Sequence, residues 1–472
     1  MKKLNILISI LILSAVSCQK TVETSPNIIL IMTDDQGWGQ TGYYNHPVLK
    51  TPNLDAMAKN GIRFDRFYAA APVCSPTRAS VLTGRTNDRS GVPSHGYALR
   101  TQEKTIGKAL QKAGYATGHF GKWHLNGLRG PGVPIFKEDS HSPGNFGFDH
   151  WLTVTNFFDI NPLMSENGSF VDLKGDSSEI IVNKALAFIK EKSSQNVPFF
   201  TVIWDGSPHD PFVASEADRA NFKDLDEKSQ NHYGELVAFD RSLGVLRKTL
   251  RELGLEENTI LWFCSDNGGL RDIEPTTVGG LRGSKGTIWE GGLRVPSILE
   301  WPAMIEPKVT NYPASTMDIF PTIAELLDLP DSDLLQPIDG ISLKPIFSKN
   351  LKQRDTYIPF RFKDMGVLID NNYKLVATSI KENKFELYDL KDDPAESQDL
   401  TTEKPIVFEQ MKKAYLNLNA SIDSSVAGKD YPEGKVLKNP KSHFWMKDDR
   451  YEPFFEEWLE RPEYRKRILR GR

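Results

Sequence analysis

Short, largely apolar runs alternate along most of the chain with segments of helical periodicity. Four such runs, at 27–32, 116–120, 199–204 and 259–264, have the length of strands, and three of them are almost continuously apolar. Continuous apolar runs are typical of parallel strands that are buried on both faces. The alternation predicts an α/β fold in which helices sandwich a large, mostly parallel sheet.

Two segments show clear helical spacing. Ile106, Ala109, Leu110 and Ala113 fall at i, i+3, i+4 and i+7, which predicts one amphipathic helix. A longer apolar stripe over 236–253 predicts a second helix, which we expect to end at Gly254 because glycine commonly follows the last helical turn.

The pattern changes after about residue 355. Residues 373–378 and 385–390 have the character of antiparallel strands joined by a polar turn, and helical sequence follows around 406–418. We therefore predict a main domain over 26–350 and a smaller α+β subdomain with an antiparallel sheet over 355–430. The remaining extension, 431–472, is rich in charge, proline and aromatics, and its pattern predicts neither a structure nor a role.

The N-terminus has the pattern of an export signal. Lys2 and Lys3 precede an apolar run over 4–16, which is too short to span a bilayer and has the length of a signal peptide's apolar region. Ser17 and Cys18 resemble a lipobox, so we expect a signal peptide over 1–18 and lipidation of Cys18. The protein would then be exported to the periplasm or cell envelope as an outer-membrane lipoprotein, held to the membrane only by lipid. Secretion without lipid and a buried N-terminal helix remain alternatives.

Composition narrows the class of protein. The chain has 472 residues, 39% hydrophobic residues and a formal net charge of −4, which is the profile of a globular protein without a basic surface for nucleic acid. There are three cysteines, and exported proteins normally pair them as disulfides. Cys18 would carry lipid and Cys264 lies in an apolar run, so Cys74 is left without an evident partner.

Polar residues follow all four predicted strands directly. In open α/β sheets the active site lies at the carboxyl ends of the strands. Asp34, Asp35, Asp266 and Asn267 offer the oxygen ligands that Ca²⁺ prefers, with Mg²⁺ as the alternative. Each pair alone could simply be capping or turn residues, because Asp and Asn favour such positions. Together the two pairs predict a metal site.

The segment Cys74-Ser75-Pro76-Thr77-Arg78 resembles the Cys-x-Pro-x-Arg signature of the formylglycine-dependent sulfatases, a family within the alkaline phosphatase superfamily. The resemblance extends over roughly residues 26–400. Its further motifs are Thr51-Pro52-Asn53-Leu54-Asp55, Leu82-Thr83-Gly84-Arg85, Gly121-Lys122-Trp123-His124, Trp289-Glu290-Gly291-Gly292 and Glu386-Leu387-Tyr388-Asp389-Leu390.

The resemblance implies an alkaline phosphatase-like fold and a mechanism. A maturation enzyme would oxidise Cys74 to formylglycine (3-oxoalanine), whose hydrate attacks sulfur, forms a covalent sulfate hemiester and also binds the metal. His209 matches the acid that protonates the leaving alcohol, and His124 matches the base that releases sulfate. The matching cations, which would hold the hydrate and the sulfate oxygens, are Arg78, Lys122 and Lys285.

Two residue spacings within these motifs predict how neighbouring side chains are placed. Arg78 would lie one turn from Cys74 if a helix begins at Pro76. Lys122 and His124 would share one face if their segment is extended.

The substrate implied is a sulfated carbohydrate. An exported bacterial sulfatase of this kind would act on an algal glycan such as ulvan, carrageenan or fucoidan, or on a glycosaminoglycan. His95, Arg271 and Arg282 lie in loops near the motifs and could face the sugar, although each is more often structural or solvated at such positions.

Two rival functions would each have a different sequence signature. A phosphatase or phosphodiesterase of the same superfamily would have a Ser or Thr nucleophile and a histidine-rich pair of zinc ions, whereas this chain has Cys74 and only nine histidines. A non-catalytic lipoprotein that binds sulfated glycans would be expected to lose Cys74, Arg78 or a metal ligand first, and none is missing.

Overall fold

The computed structural model describes residues 25–471, so the predicted signal peptide and Cys18 lie outside the described residues. The strands are β1 (Asn27–Thr33), β2 (Ile62–Tyr68), β3 (Ala116–Lys122), β4 (Leu128–Arg129), β5 (His150–Val154), β6 (Leu163–Glu166), β7 (Ser169–Asp172), β8 (Phe199–Trp204), β9 (Thr259–Ser265), β10 (Arg294–Glu300), β11 (Lys308–Thr310), β12 (Ala314–Ser315), β13 (Ile358–Phe362), β14 (Met365–Asp370), β15 (Tyr373–Ser379), β16 (Lys384–Asp389) and β17 (His443–Phe444). The α-helices are α1 (Pro52–Asn60), α2 (Cys74–Thr83), α3 (Ile106–Lys112), α4 (Ser177–Ser194), α5 (Glu216–Arg219), α6 (Glu227–Glu252), α7 (Glu290–Leu293), α8 (Ile319–Leu326), α9 (Pro345–Ser348), α10 (Pro405–Val426), α11 (Phe455–Trp458) and α12 (Pro462–Gly471).

An eleven-stranded mixed sheet forms the centre of the molecule. Its order is β11-β2-β10-β9-β1-β8-β3-β5-β6-β7, with β12 added beside β2. The five central strands, from β9 to β5, are parallel, whereas β10 and the β6–β7 hairpin run antiparallel toward the edges. The predicted α/β class, with a large sheet between helices, is confirmed.

Both faces of this sheet are covered, which explains the continuous apolar runs. Along β1, Ile28 and Leu30 pack on one face with α2, α3 and α8. Ile29 and Ile31 pack on the other face with α1, α4 and α6. A strand covered on both sides has no polar face, so its sequence does not alternate.

A four-stranded antiparallel sheet, β13-β14-β15-β16, forms the C-terminal subdomain with α10. Its β15 and β16 coincide closely with the two strands predicted from the sequence, and the predicted antiparallel sheet is confirmed. Lys374 on β15 is fully buried between two carboxylates, with its Nζ 3.0 Å from Glu290 and 2.8 Å from Glu396. Because Glu290 begins α7 of the main domain, this buried ion pair connects the C-terminal subdomain to the main domain.

The extension folds back onto the main domain. Its short β17 pairs with β4, and its aromatic side chains form a cluster with Leu128, Val133 and Leu163. The members from the extension are Trp445, Tyr451, Phe455, Trp458, Tyr464 and Ile468. Among the described residues, no helix has the length and apolar character needed to cross a membrane.

Candidate active site

The carboxyl ends of β1, β3, β8 and β9 meet at one edge of the central sheet. Pairing aligns Met32 with both Trp204 and Cys264, so the strands end at the same level. Backbone hydrogen bonds continue beyond the strands: Asp205 N donates to Met32 O at 2.8 Å, and Asp266 N donates to Thr33 O at 3.1 Å. The residues that follow each strand are therefore brought together, as the sequence predicts.

The four predicted metal ligands lie close together at this edge. Asp35 N donates to Asp266 Oδ1 at 3.1 Å, and Asn267 Nδ2 donates to Asp35 Oδ1 at 2.8 Å. Asp34, Cys74 and Asp266 each offer a ligand atom within 4.8 Å of the others. Asp35 adopts a left-handed φ of 71°, a conformation that costs energy in a non-glycine residue and recurs at functional sites.

The site has the properties that a bound cation would satisfy. Asp34 Oδ1 and Asn267 Oδ1 are buried without a hydrogen-bond partner among the described residues. Burial and the neighbouring charge of Asp34 raise the pKa of Asp266 to about 7. Buried acceptors without donors, and carboxylates that repel one another, are both stabilised by a cation with oxygen ligands. The donor set therefore fits the metal ion that the sequence predicts.

Three buried or half-buried cations surround these carboxylates. Arg78 Nη2 lies 2.7 Å from Asp266 Oδ2, Lys122 Nζ lies 2.5 Å from Asp34 Oδ2, and Lys285 Nζ lies 2.6 Å from Asp35 Oδ1. Burial would raise the pKa of Asp34, yet the surrounding cations, Lys122 foremost, hold it well below its usual range. The three cations balance the charge of the three carboxylates.

Cys74 occupies the first turn of α2 and is 3% exposed. The helix begins at Cys74 and not at Pro76 as expected, because Val73 is extended and already serves as the N-cap. Arg78 still lies one turn along the same helix, and its guanidinium reaches Asp266. Burial raises the pKa of the Cys74 thiol, so an unmodified thiol here would stay protonated and would be a weak nucleophile.

His124 is buried, and neither ring nitrogen has a hydrogen-bond partner among the described residues. The expected extended segment is absent at this point: Lys122 ends β3, whereas His124 has a left-handed φ of 56°. Both side chains still reach the same site, through a turn and not a shared strand face. Burial, followed by the charges of Lys122 and Arg78, lowers the pKa of His124 well below its usual range, so its ring is a neutral proton acceptor.

His209 lies on the loop after β8, with 16% of its side chain exposed and Nε2 3.9 Å from Asp35 Oδ2. Its Nδ1 lies 2.5 Å from the Asp210 carbonyl oxygen, a contact in which a protonated Nδ1 donates. Burial, together with the charge of Lys285, lowers the pKa of His209 to about 4. An anion bound beside the ring would offset that repulsion and favour the protonated form.

The three loop residues that the sequence suggested as possible sugar contacts lie in different environments. Arg282 is committed to structure: its guanidinium lies 3.5 Å from the centre of the Trp289 ring and donates to Glu396 O. Arg271 is exposed and lines a small cavity with Ser284, next to Lys285. His95 is paired with Arg129 at 2.9 Å, and the adjacent Gly96 N donates to Ser75 Oγ, beside Cys74.

The structure adds one neighbour that the sequence did not indicate. The ring of Phe157 stacks on His209, with the ring centres 4.8 Å apart and an angle of 9° between planes. Phe157 follows β5, about fifty positions before His209 in the chain, and no motif links the two. It therefore holds the orientation of the imidazole through a purely tertiary contact.

Comparison with known proteins agrees with this geometry. The family model described as sulfatase matches residues 26–329, and the model for the C-terminal part of N-sulphoglucosamine sulphohydrolase matches residues 284–421. N-acetylgalactosamine-6-sulfatase of Sus scrofa is 35% identical over 373 residues, 71% of this chain and 69% of the relative. The ulvan-active sulfatase of Formosa agariphila is 30% identical over 363 residues, 69% and 68% of the two chains.

A solved structure supports the fold over nearly the whole length. The crystal structure of Ps i-CgsB in complex with k-i-k-neocarrahexaose superposes with a TM-score of 0.75 and 23% identity, covering 94% of this chain and all of that one. The sulfatase model alone spans more than half of the chain, and its range contains every residue of the site described above. The chain belongs to the sulfatase family and is a sulfuric ester hydrolase.

Proposed function

We propose that this enzyme removes sulfate from a sulfated poly- or oligosaccharide outside the cytoplasm. One observation carries the proposal: Cys74 lies at the start of α2, among three cations and a set of oxygen ligands with unsatisfied buried acceptors. The family implies that Cys74 is converted to formylglycine and that a metal ion is bound.

The charge of the site favours the binding of an anion. Asp34, Asp35 and Asp266 balance the three cations, so one divalent ion would bring the site to a net charge of about +2. A sulfate monoester carries one negative charge and would be attracted strongly into a buried pocket of that charge. We propose Ca²⁺ as the ion, with Mg²⁺ as the alternative, because every protein ligand is an oxygen.

The residues divide the chemistry between them. The metal and the formylglycine, when present, supply charge neutralisation and the nucleophile. Lys122 and Lys285 hold the sulfate oxygens, and Arg78 positions the side chain at position 74 from the next turn of α2. The bound anion favours the protonated form of His209, which donates a proton to the departing sugar oxygen. Neutral His124 then accepts a proton as sulfate is released.

The substrate class follows from the relatives. Two relatives that cover about 70% of this chain have names that refer to a sulfated amino sugar and to ulvan. We propose a sulfated glycan for this chain, either an algal polysaccharide or a glycosaminoglycan. The proposal also requires a formylglycine-generating enzyme in the host and export through the N-terminal signal, with Cys18 as the lipid-bearing residue.

A screen of defined sulfated oligosaccharides, with free sulfate as the readout, tests the activity. Protein from a host with the maturation enzyme should release sulfate, lose activity on chelation and recover it with Ca²⁺. The Cys74→Ala protein is the matched blank. Hydrolysis of phosphate esters by protein that contains stoichiometric zinc and depends on it would favour the phosphatase alternative. Binding of sulfated glycans without release of sulfate would favour the non-catalytic alternative.

Localisation is tested separately through Cys18. The Cys18→Ala chain should lose lipid and appear as soluble protein after fractionation, with its sulfatase activity unchanged. Mature wild-type protein that is cleaved elsewhere and carries no lipid would contradict this part of the proposal.

A further inference from the structure

A cavity of about 710 Å³ lies outside the sulfate site, between the extension and the loops on the His209 side. Its walls include Phe157, Asp159, Asp172, Val213, Arg461 and Glu463. None of these residues belongs to the metal, sulfate or proton-transfer groups described above. The volume falls within the range of about 300–1,000 Å³ that is typical of pockets for small ligands.

The cavity adjoins the acid histidine through two shared elements. The Phe157 ring that stacks on His209 also lines the cavity, and Pro211 and Val213 continue the His209 loop along its wall. Since His209 is the group that protonates the departing sugar oxygen, the cavity lies on the side from which the sugar approaches. A glycan seated at the sulfate site would extend past Phe157 into this space.

Charge makes the cavity selective. Asp159, Asp172, Glu460 and Glu463 line it, against Lys174 and Arg461. Arg461 is already engaged, because its guanidinium lies 3.1 Å from Asp172, 2.7 Å from Glu463 and 2.6 Å from Asn161 O. The lining therefore offers acceptors for sugar hydroxyls and an excess of negative charge, which disfavours a second sulfate or a uronate.

The environment of Asp159 also bears on which ligands the cavity can bind. Burial, and then the charges of Glu463 and Asp210, raise the pKa of Asp159 well above its usual range. Even with Asp159 protonated, the three other acids, Asp172, Glu460 and Glu463, outnumber Lys174 and Arg461, so the lining keeps an excess of negative charge. Apolar surface is available beside these acids, since Phe157 and Val213 both line the cavity and Val213 is 44% exposed.

The outer wall comes from a part of the chain beyond both family matches, which end at residues 329 and 421. Tyr464 fixes that wall, because its hydroxyl donates to Gly132 O at 2.6 Å and its ring is buried in the aromatic cluster. The wall is therefore a rigid feature of this chain and not a loose tail.

We propose that this cavity binds uncharged sugar residues of the glycan, next to the sulfated residue on the leaving-group side. The inference rests on the proposed function and narrows it: the substrate carries neutral residues beside the sulfated one. The extension then contributes to substrate selection as well as to the fold.

The first test fills the cavity. Val213→Trp should lower the ratio of kcat/KM for the active sulfated oligosaccharide to that for 4-nitrophenyl sulfate by about tenfold, because the small aryl ester does not reach the cavity. Arg465→Ala, an exposed residue of α12 that does not line the cavity, is the control and should change both values by less than about twofold. An unchanged ratio in Val213→Trp would overturn the proposal.

The second test addresses charge. Wild-type enzyme should prefer an oligosaccharide with one sulfate to its counterpart with sulfate on every residue. Glu460→Gln combined with Glu463→Gln should reduce that preference by about threefold, the size expected for exposed charges. A wild-type preference for the fully sulfated form would refute the neutral-sugar assignment.

Binding without turnover separates this inference from the proposed function. The desulfated oligosaccharide, titrated into Cys74→Ala protein by calorimetry, should bind, and Val213→Trp in the same background should abolish the binding heat. Absence of binding in the Cys74→Ala protein overturns the cavity assignment even if sulfate release is measured, whereas absence of sulfate release from every oligosaccharide in the screen overturns the proposed function.

Discussion

Cys74 combines burial, position and electrostatics in one side chain. It is 3% exposed at the start of α2, and burial raises the pKa of its thiol. We predict that the mature active protein carries formylglycine at position 74 and that Cys74→Ala folds but loses turnover. Mass spectrometry of the tryptic peptide and a sulfate-release assay check both points.

Cys264 is the matched control. It is equally buried, at the end of β9, but lies outside the Cys-x-Pro-x-Arg segment. Cys264→Ala should remain modified at position 74 and retain activity. Fully active protein with an intact Cys74 thiol would show that the nucleophile has been wrongly assigned.

The second prediction for a single residue concerns how the effect of removing His209 depends on the leaving group. A sugar alkoxide is a poor leaving group and needs a proton, whereas a nitrophenolate leaves readily. His209→Ala should therefore slow hydrolysis of the sugar sulfate at least about tenfold more than that of 4-nitrophenyl sulfate, within the usual range for general acids. Equal losses on both substrates would argue that His209 binds sulfate and does not protonate the sugar oxygen.

At the scale of single residues, the sequence predicted which side chains meet but not how they are held. Asp34, Asp266 and Lys122 could be grouped because each follows a strand of a parallel sheet. The left-handed conformation of Asp35 and the stacking of Phe157 on His209 depend on tertiary contacts, and no local pattern encodes them. The start of α2 at Cys74 is likewise not marked in the sequence, since its N-cap, Val73, has no capping side chain.

At the scale of elements, the central parallel strands were predictable, whereas the antiparallel pair β2 and β10 beside them was not. β8 was predicted to the residue, because every side chain along it is buried. β2 carries Arg63, Asp65 and Arg66 between its apolar residues, so its sequence lacks a continuous run. The antiparallel β10 contains a proline at the bulge where its register with β2 shifts, which also weakens the strand pattern.

The prediction at the scale of elements concerns the stability of the junction between α7 and the C-terminal sheet. Lys374→Met would leave Glu290 and Glu396 buried without their shared cation. Breaking a buried pair from one side costs about 3–5 kcal/mol, so urea unfolding should show a loss of that size. Lys384→Met, on the neighbouring β16 with 66% of its side chain exposed, is the control and should change stability by less than about 0.5 kcal/mol.

The result at Lys374 also reports on the connection between domains. A stability equal to that of the wild type would mean that Glu290 and Glu396 do not need the cation, as when both are buried in their protonated form. The sheet would then be held to the main domain by its apolar contacts, which include Tyr68 against Phe360.

At the scale of the whole molecule, the extension shares a buried hydrophobic cluster with the main domain. Its secondary structure could not be predicted from its charged, proline and aromatic residues. The helices of the extension are short, and they acquire their structure by packing on a surface formed by residues elsewhere in the chain. Trp445 is fully buried against Tyr451 and Trp458, and the same cluster includes Val133 and Leu163 of the main domain. Short helices of this kind have too little local stability to be read from periodicity.

Trp458 gives the prediction that tests this integration. Its side chain is 1% exposed and contacts five aromatic rings, so Trp458→Ala should destabilise the protein by about 3–5 kcal/mol. Leu469→Ala, in α12 and 59% exposed, is the control and should change stability by less than about 0.5 kcal/mol. Because the cluster is shared with the main domain, urea unfolding followed by fluorescence and by loss of activity should shift together in one cooperative transition. A separate early transition in Trp458→Ala, with the main transition unmoved, would mean that the extension folds as an independent unit, and the cavity wall that it forms would then be lost before the catalytic site.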